Sequence, residues 1–129
     1  MLIPAIGFQG NCDEAITYYK EILGAEVKTI HYFRDADTDI GMDLPPNFVM
    51  YSEVVIHGTT FMMSDGMEKP LESFWMLLTF DTVEAVTSMF NKLADGGEIV
   101  EPLTPQFFAA LTGDVKDRFG VLWSVSTSG

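Results

Sequence analysis

At 129 residues, 47% of them hydrophobic, the chain is long enough to bury one full core and too apolar to be disordered. Seven basic against nineteen acidic residues leave a net charge of -12, which repels phosphate backbones and anionic lipid, so neither nucleic acid nor a membrane is an expected partner. No apolar run approaches the ~20 residues of a membrane span. Met1-Leu2-Ile3-Pro4 lacks the basic start of a secretory signal, and Cys12 is the only cysteine, so a reducing, cytoplasmic setting is expected.

In chain order, Leu2 to Phe8 reads as a short strand. Asn11 stands as the N-cap of a helix with Glu14 closing a capping box, and Cys12, Ala15, Ile16, Tyr19, Ile22 and Leu23 then recur at helical spacing. Cys12 reads as a small structural residue on that face rather than a catalytic thiol. Gly24 suits a left-handed C-terminal cap. Glu26 to Phe33 is a strand by its β-branched and aromatic content. Arg34 to Asn47 is acidic, ends in Pro45-Pro46 and reads as an exposed loop. Its Asp35-Ala36-Asp37-Thr38-Asp39 alternates like a calcium loop, but Ile40 replaces the required Gly and Pro46 the required Glu. Met50 to Ile56 and Thr59 to Met63 are strands joined by a tight His57-Gly58 turn.

The order then recurs. Phe74 to Phe80 is a strand; Asp81 with Glu84 repeats the capping box; Ala85, Val86, Met89, Phe90, Leu93 and Ala94 make the apolar helix face, and Gly96-Gly97 ends it. Glu98 to Leu103, Phe108 to Thr112 and Val121 to Thr127 are three further strands. Each half therefore reads strand, helix, three strands, and a kept order of elements is the mark of a duplicated architecture.

The pieces "GNCDEAITYYKEILGAEV", "FMMSDG", "FDTVEAVTSMFNKLADGGEIVEPL" and "VKDRFGVLWSV" resemble the vicinal oxygen chelate superfamily, which covers glyoxalases, bleomycin-resistance proteins and extradiol dioxygenases. Within it they resemble the PhnB-like branch, to which a demethylubiquinone methyltransferase name is attached. The resemblance implies an α+β fold of two βαβββ modules, about 1–66 and 73–129, within one domain. These would form a curved, mixed sheet with helices outside and a ligand cleft inside, usually in a homodimer. Catalytic members hold a divalent metal through His, Gln or Glu on the first and last strands of each module. By motif those positions fall near Pro4, around Met62 to Ser64, near Trp75 and near Ser124, and none is a His or a carboxylate. No constitutive metal and no other cofactor is therefore expected. No glycine-rich methyl-donor loop follows a strand, so the methyltransferase name carries little weight.

On the predicted third strand Tyr51, Glu53, Val55 and His57 share one face. Glu53 interrupts an apolar strand and is a candidate general acid or base; its bland alternative is an ion pair or a solvated edge. Tyr51, Glu53, Met63, Trp75, Phe108 and Trp123 are the candidate ligand-binding residues, with simple core packing the alternative for the apolar ones. His31 and His57 read as surface or satisfied histidines. The leading reading is a metal-free protein binding a small hydrophobic or cationic molecule. Behind it stand an enzyme with an atypical site and a dimeric interaction module without ligand.

Overall fold

The structure, a computed structural model, describes residues 1–35, 44–66 and 74–128. The chain divides into two compact units, Met1–Pro70 and Leu71–Gly129. The first contains β1 (Ala5–Phe8), α1 (Cys12–Leu23), β2 (Glu26–Tyr32), a 3-10 turn at Phe33–Asp35, β3 (Val49–Ile56) and β4 (Thr59–Asp65). The second contains β5 (Trp75–Phe80), α2 (Val83–Ala94), β6 (Glu98–Gln106), β7 (Ala109–Lys116) and β8 (Leu122–Thr127). The sheets are ordered β1-β4-β3-β2 and β5-β8-β7-β6, so the two βαβββ units share one topology. In each, the first strand pairs in parallel with the last and the remaining neighbours are antiparallel. Most of the calcium-like run beyond Asp35 lies outside the described residues. Among the described residues, no helix is long and apolar enough to cross a membrane.

Helix α1 buries Cys12, Ala15, Ile16, Tyr19 and Leu23, the face its periodicity marks, and adds Tyr18. It packs on β3 and β4. Gly24 ends it at φ 65°, and the Ala25 amide donates to the Tyr19 carbonyl at 3.2 Å. The N-terminus departs from the sequence reading. Asn11 occupies the N-cap without a side-chain capping bond. Instead Asp65, from the end of β4, accepts at Oδ1 from the amides of Gly10 (2.7 Å) and Cys12 (3.0 Å), and at Oδ2 from Val49 (2.9 Å). Helix α2 is capped locally, but one residue later than Asp81: Thr82 Oγ1 accepts from the Ala85 amide at 3.1 Å.

Strand parity sorts the side chains. In the first sheet Ser52, Val54, Ile56, Phe61 and Met63 are buried on the α1 side, and register places Glu53 beside Met62 on the other face. In the second, Leu78, Val115, Trp123 and Val125 are buried on the α2 side, with Trp75, Leu77, Ser124 and Asp114 on the reverse. Turns differ between the units. The β3–β4 hairpin closes on His57 and Gly58 with φ of 48° and 84°, the left-handed pair a two-residue hairpin demands. The β7–β8 connection is a longer turn wrapped around the buried Asp117. At Gly97 a Cβ would collide with the Lys116 carbonyl, so the chain has no room for a side chain there.

Candidate functional site

The sheet face of the first unit turned away from α1 carries a short polar stripe. Register sets Thr29 against Glu53 and His31 against Tyr51. The Tyr51 hydroxyl donates to Glu53 Oε1 at 3.0 Å. That bond comes first in lifting the Tyr51 phenol above its ordinary pKa, followed by desolvation and the Glu53 charge. The His31 and Tyr51 rings lie 6.5 Å apart, and His31 Nε2 and Thr29 Oγ1 share a 3.2 Å hydrogen bond. Phenol, carboxylate and imidazole thus stand in one row on strands whose backbone is fixed by pairing. The row is suited to holding polar groups of a ligand whose body lies on Met62 and Val55.

Of the six candidate ligand residues, the structure brings Tyr51 and Glu53 together. Met63 and Trp123 are core residues, 0% and 1% exposed, in keeping with the core-packing alternative. Met63 points to the α1 side because it is one residue out of step with Met62, the neighbour of Glu53. Trp123 donates its indole N–H to Asp117 Oδ2 at 2.9 Å on the α2 side. Trp75 is 57% exposed on the free face of β5, beside Leu77, which is 63% exposed. Phe108 is not in a strand; with Phe107 it forms the turn between β6 and β7. Cys12 is wholly buried, and burial, then Asp65 and Asp13, hold its thiol far above the ordinary range. Native Cys12 will therefore be inert to a thiol-directed reagent and react only on unfolding; reaction at the free-thiol rate in the native state would contradict this placement.

The positions from which this architecture reaches a metal can be tested against their side chains. On the free faces, the paired parallel strands present Ala5, Gly7, Met62 and Ser64 in the first unit and Trp75, Leu77, Leu122 and Ser124 in the second. These are apolar groups and hydroxyls, and they do not fit a divalent metal that takes imidazole and carboxylate donors. Among the described residues, no three His, Cys, Asp or Glu side chains gather as a ligand set.

The 3-demethylubiquinone-9 3-methyltransferase family matches residues 1–126. The chain belongs to that family. It is 33% identical to protein YjdN of Escherichia coli (strain K12), over 97% of this chain and 93% of the relative. It is similar to the structure of protein PA1353 from Pseudomonas aeruginosa, with a TM-score of 0.87 and 30% identity, covering 99% of this chain and 97% of that one. A FosX fosfomycin-resistance protein from Listeria monocytogenes, in complex with Mn(II) and a dihydroxypropylphosphonic acid, shares the fold at a TM-score of 0.69 and 13% identity, over 98% and 90% of the two chains. The α+β fold of this family member is thus that of the vicinal oxygen chelate superfamily, in its PhnB-like branch.

From the sequence, Asp65 reads as a cap or turn after the fourth strand rather than as an acid orienting Ser64, and it does cap, but at α1; the burial of Asp65 and Asp117 and their part in organising the two units were not foreseen. Asp117 had a signal in the Asp-x-Phe-Gly-Val-x-Trp piece, since it accepts from Phe119, Val121 and Trp123, three members of that run. For Asp65 the capping role was legible but its partners were not, because they are 16 to 55 residues away.

Proposed function

We propose that this family member is a metal-independent, cytoplasmic binding protein for a small organic molecule, working as a homodimer. The observation that carries the reading is the row of Ala5, Gly7, Met62 and Ser64, with Trp75, Leu77 and Ser124 in the second unit, where catalytic relatives of the fold need metal donors. In their place the first sheet offers the Tyr51–Glu53 pair at 3.0 Å as a polar anchor beside apolar wall. Trp75 and Leu77, 57% and 63% exposed on the same face of β5, offer apolar surface for a second subunit. The methyl transfer in the family's description is not carried to this chain. The N-terminus of α1, after a strand and a loop, is a natural seat for an anionic cofactor group, and the Asp65 carboxylate fills it.

The test is metal content by mass spectrometry on protein purified without chelator and then dialysed. Metal far below one equivalent per folded chain is expected; stoichiometric zinc, nickel, manganese or iron would overturn the reading. With a ligand found by thermal-shift screening, Tyr51→Phe or Glu53→Gln should weaken binding about five- to tenfold, the loss of one hydrogen bond. Unchanged affinity in both variants would move the site away from this stripe.

A further inference from the structure

We propose that a groove in the second unit, distinct from the stripe around Tyr51 and Glu53, binds a small organic cation with an apolar body. It opens between the start of α2, the β6–β7 turn and the end of β8, with a volume of about 410 Å³, within the range of small-molecule sites. Its walls include Asp81, Val83, Pro105, Phe107, Phe108 and Ser128.

Two observations set the sign of the ligand. Phe107 and Phe108 are 99% and 58% exposed, and their rings meet edge to face at 5.2 Å. A two-residue hairpin turn made of phenylalanines leaves ring faces, the negative part of the aromatic quadrupole, open to solvent. Such faces attract a cation electrostatically. Beside them stands Asp81, whose Oδ1 accepts from Ser128 Oγ at 3.0 Å, which fixes the carboxylate at the groove wall. Among the described residues, no Lys, Arg or His lines the groove. The half-positive end of α2 opposes a cation, but Thr82 already occupies the Ala85 amide and the full charge of Asp81 lies in front of it. An anion would meet Asp81 with no basic group among the described lining residues to offset it, whereas a quaternary ammonium or protonated amine meets a carboxylate and two rings. Val83, Pro105 and Ala109 then supply contact for its hydrocarbon part. Phe108 thereby takes a ligand-binding role from the turn, apart from Tyr51 and Glu53.

The experiment is an amide-resolved NMR titration of the full chain with choline and with its neutral isostere, dimethylbutanol. Choline should shift the amides of Val83, Phe107, Phe108 and Ser128 saturably, and the isostere should bind at least about fivefold more weakly. Asp81→Asn keeps an acceptor for Ser128 and should weaken choline about fivefold, in line with one exposed charge pair. Phe107→Leu keeps the apolar surface and should weaken choline about two- to fivefold while leaving the isostere unchanged. Equal binding of both probes, no loss in either variant, or shifts confined to other amides would overturn the proposal. So would broadening of these amides with protein concentration alone, which would assign the groove to a second copy of the chain. The groove shares no residue with the Tyr51–Glu53 stripe, so failure here leaves the metal and stripe tests standing.

Discussion

Asp65→Ala is expected to destabilise the protein by about 3–6 kcal/mol, a large share of the ~5–15 kcal/mol that holds a domain folded. The carboxylate ties three segments together: the end of β4, the amides of Gly10 and Cys12 at the start of α1, and the Val49 amide at the start of β3. Cys12 and Val49 are fully buried, so their amides have no water to turn to once the side chain is gone. Each stranded donor costs ~1–3 kcal/mol, and the helix loses its side-chain cap, worth ~0.5–2 kcal/mol. Asp65→Asn should cost about half as much. One amide oxygen can still serve one side, while the NH2 group faces a backbone donor on the other. Urea unfolding followed by circular dichroism measures both, with an unchanged slope showing that stability alone moved. A loss under about 1 kcal/mol for Asp65→Ala would mean that α1 is held by its apolar face alone.

That same carboxylate marks the limit of what the sequence disclosed. Element order and type were legible because helix and strand periods are local and each half repeats them, and every expected strand and both helices are present. The cap of α1 was not legible, since Asn11 satisfies the local pattern while the bond comes from Asp65, far along the chain. On α2, where the cap is local, the reading missed by one residue, Thr82 for Asp81. Parity placed Tyr51 and Glu53 correctly on one face, because alternation along a strand survives without knowing its neighbours. It could not decide between Met62 and Met63, two like residues in sequence whose sides depend on register with β3. Trp123 lies in step with Val121 and Val125, both buried, and that apolar alternation was the signal for core that its size obscured. The groove at Phe107 and Phe108 was illegible for another reason: a phenylalanine pair reads as strand, and only the pairing of Gln106 with Ala109 makes it a turn.

The duplicated units solve the same problem by different means, and Asp117 is where the second one does so. At the β3–β4 connection a two-residue turn with both φ angles positive needs no side-chain support. At β7–β8 the chain takes a longer path from Lys116 to Leu122, and its amides must be satisfied from within. Asp117 does this while 3% exposed: Oδ1 accepts from Phe119 (2.9 Å) and Val121 (3.1 Å), and Oδ2 from the Trp123 indole (2.9 Å). Asp117→Ala should therefore cost about 3–5 kcal/mol, since it strands buried donors and leaves a void beside the largest fully buried side chain. Trp123→Phe should cost about 2–3 kcal/mol, removing the donor and part of the ring while leaving Oδ2 without its indole partner. If turn and core act as one piece, the double variant loses less than the sum, with a coupling of about 1–2 kcal/mol. Trp75→Phe as a common background leaves Trp123 the sole tryptophan, so its emission reports the site directly. Wild-type Asp117 should give the blue-shifted emission of a dry, fixed indole, and Asp117→Ala a red shift before global unfolding. Strict additivity with unshifted emission would separate the turn from the core and leave the Asp-x-Phe-Gly-Val-x-Trp run without its physical reason.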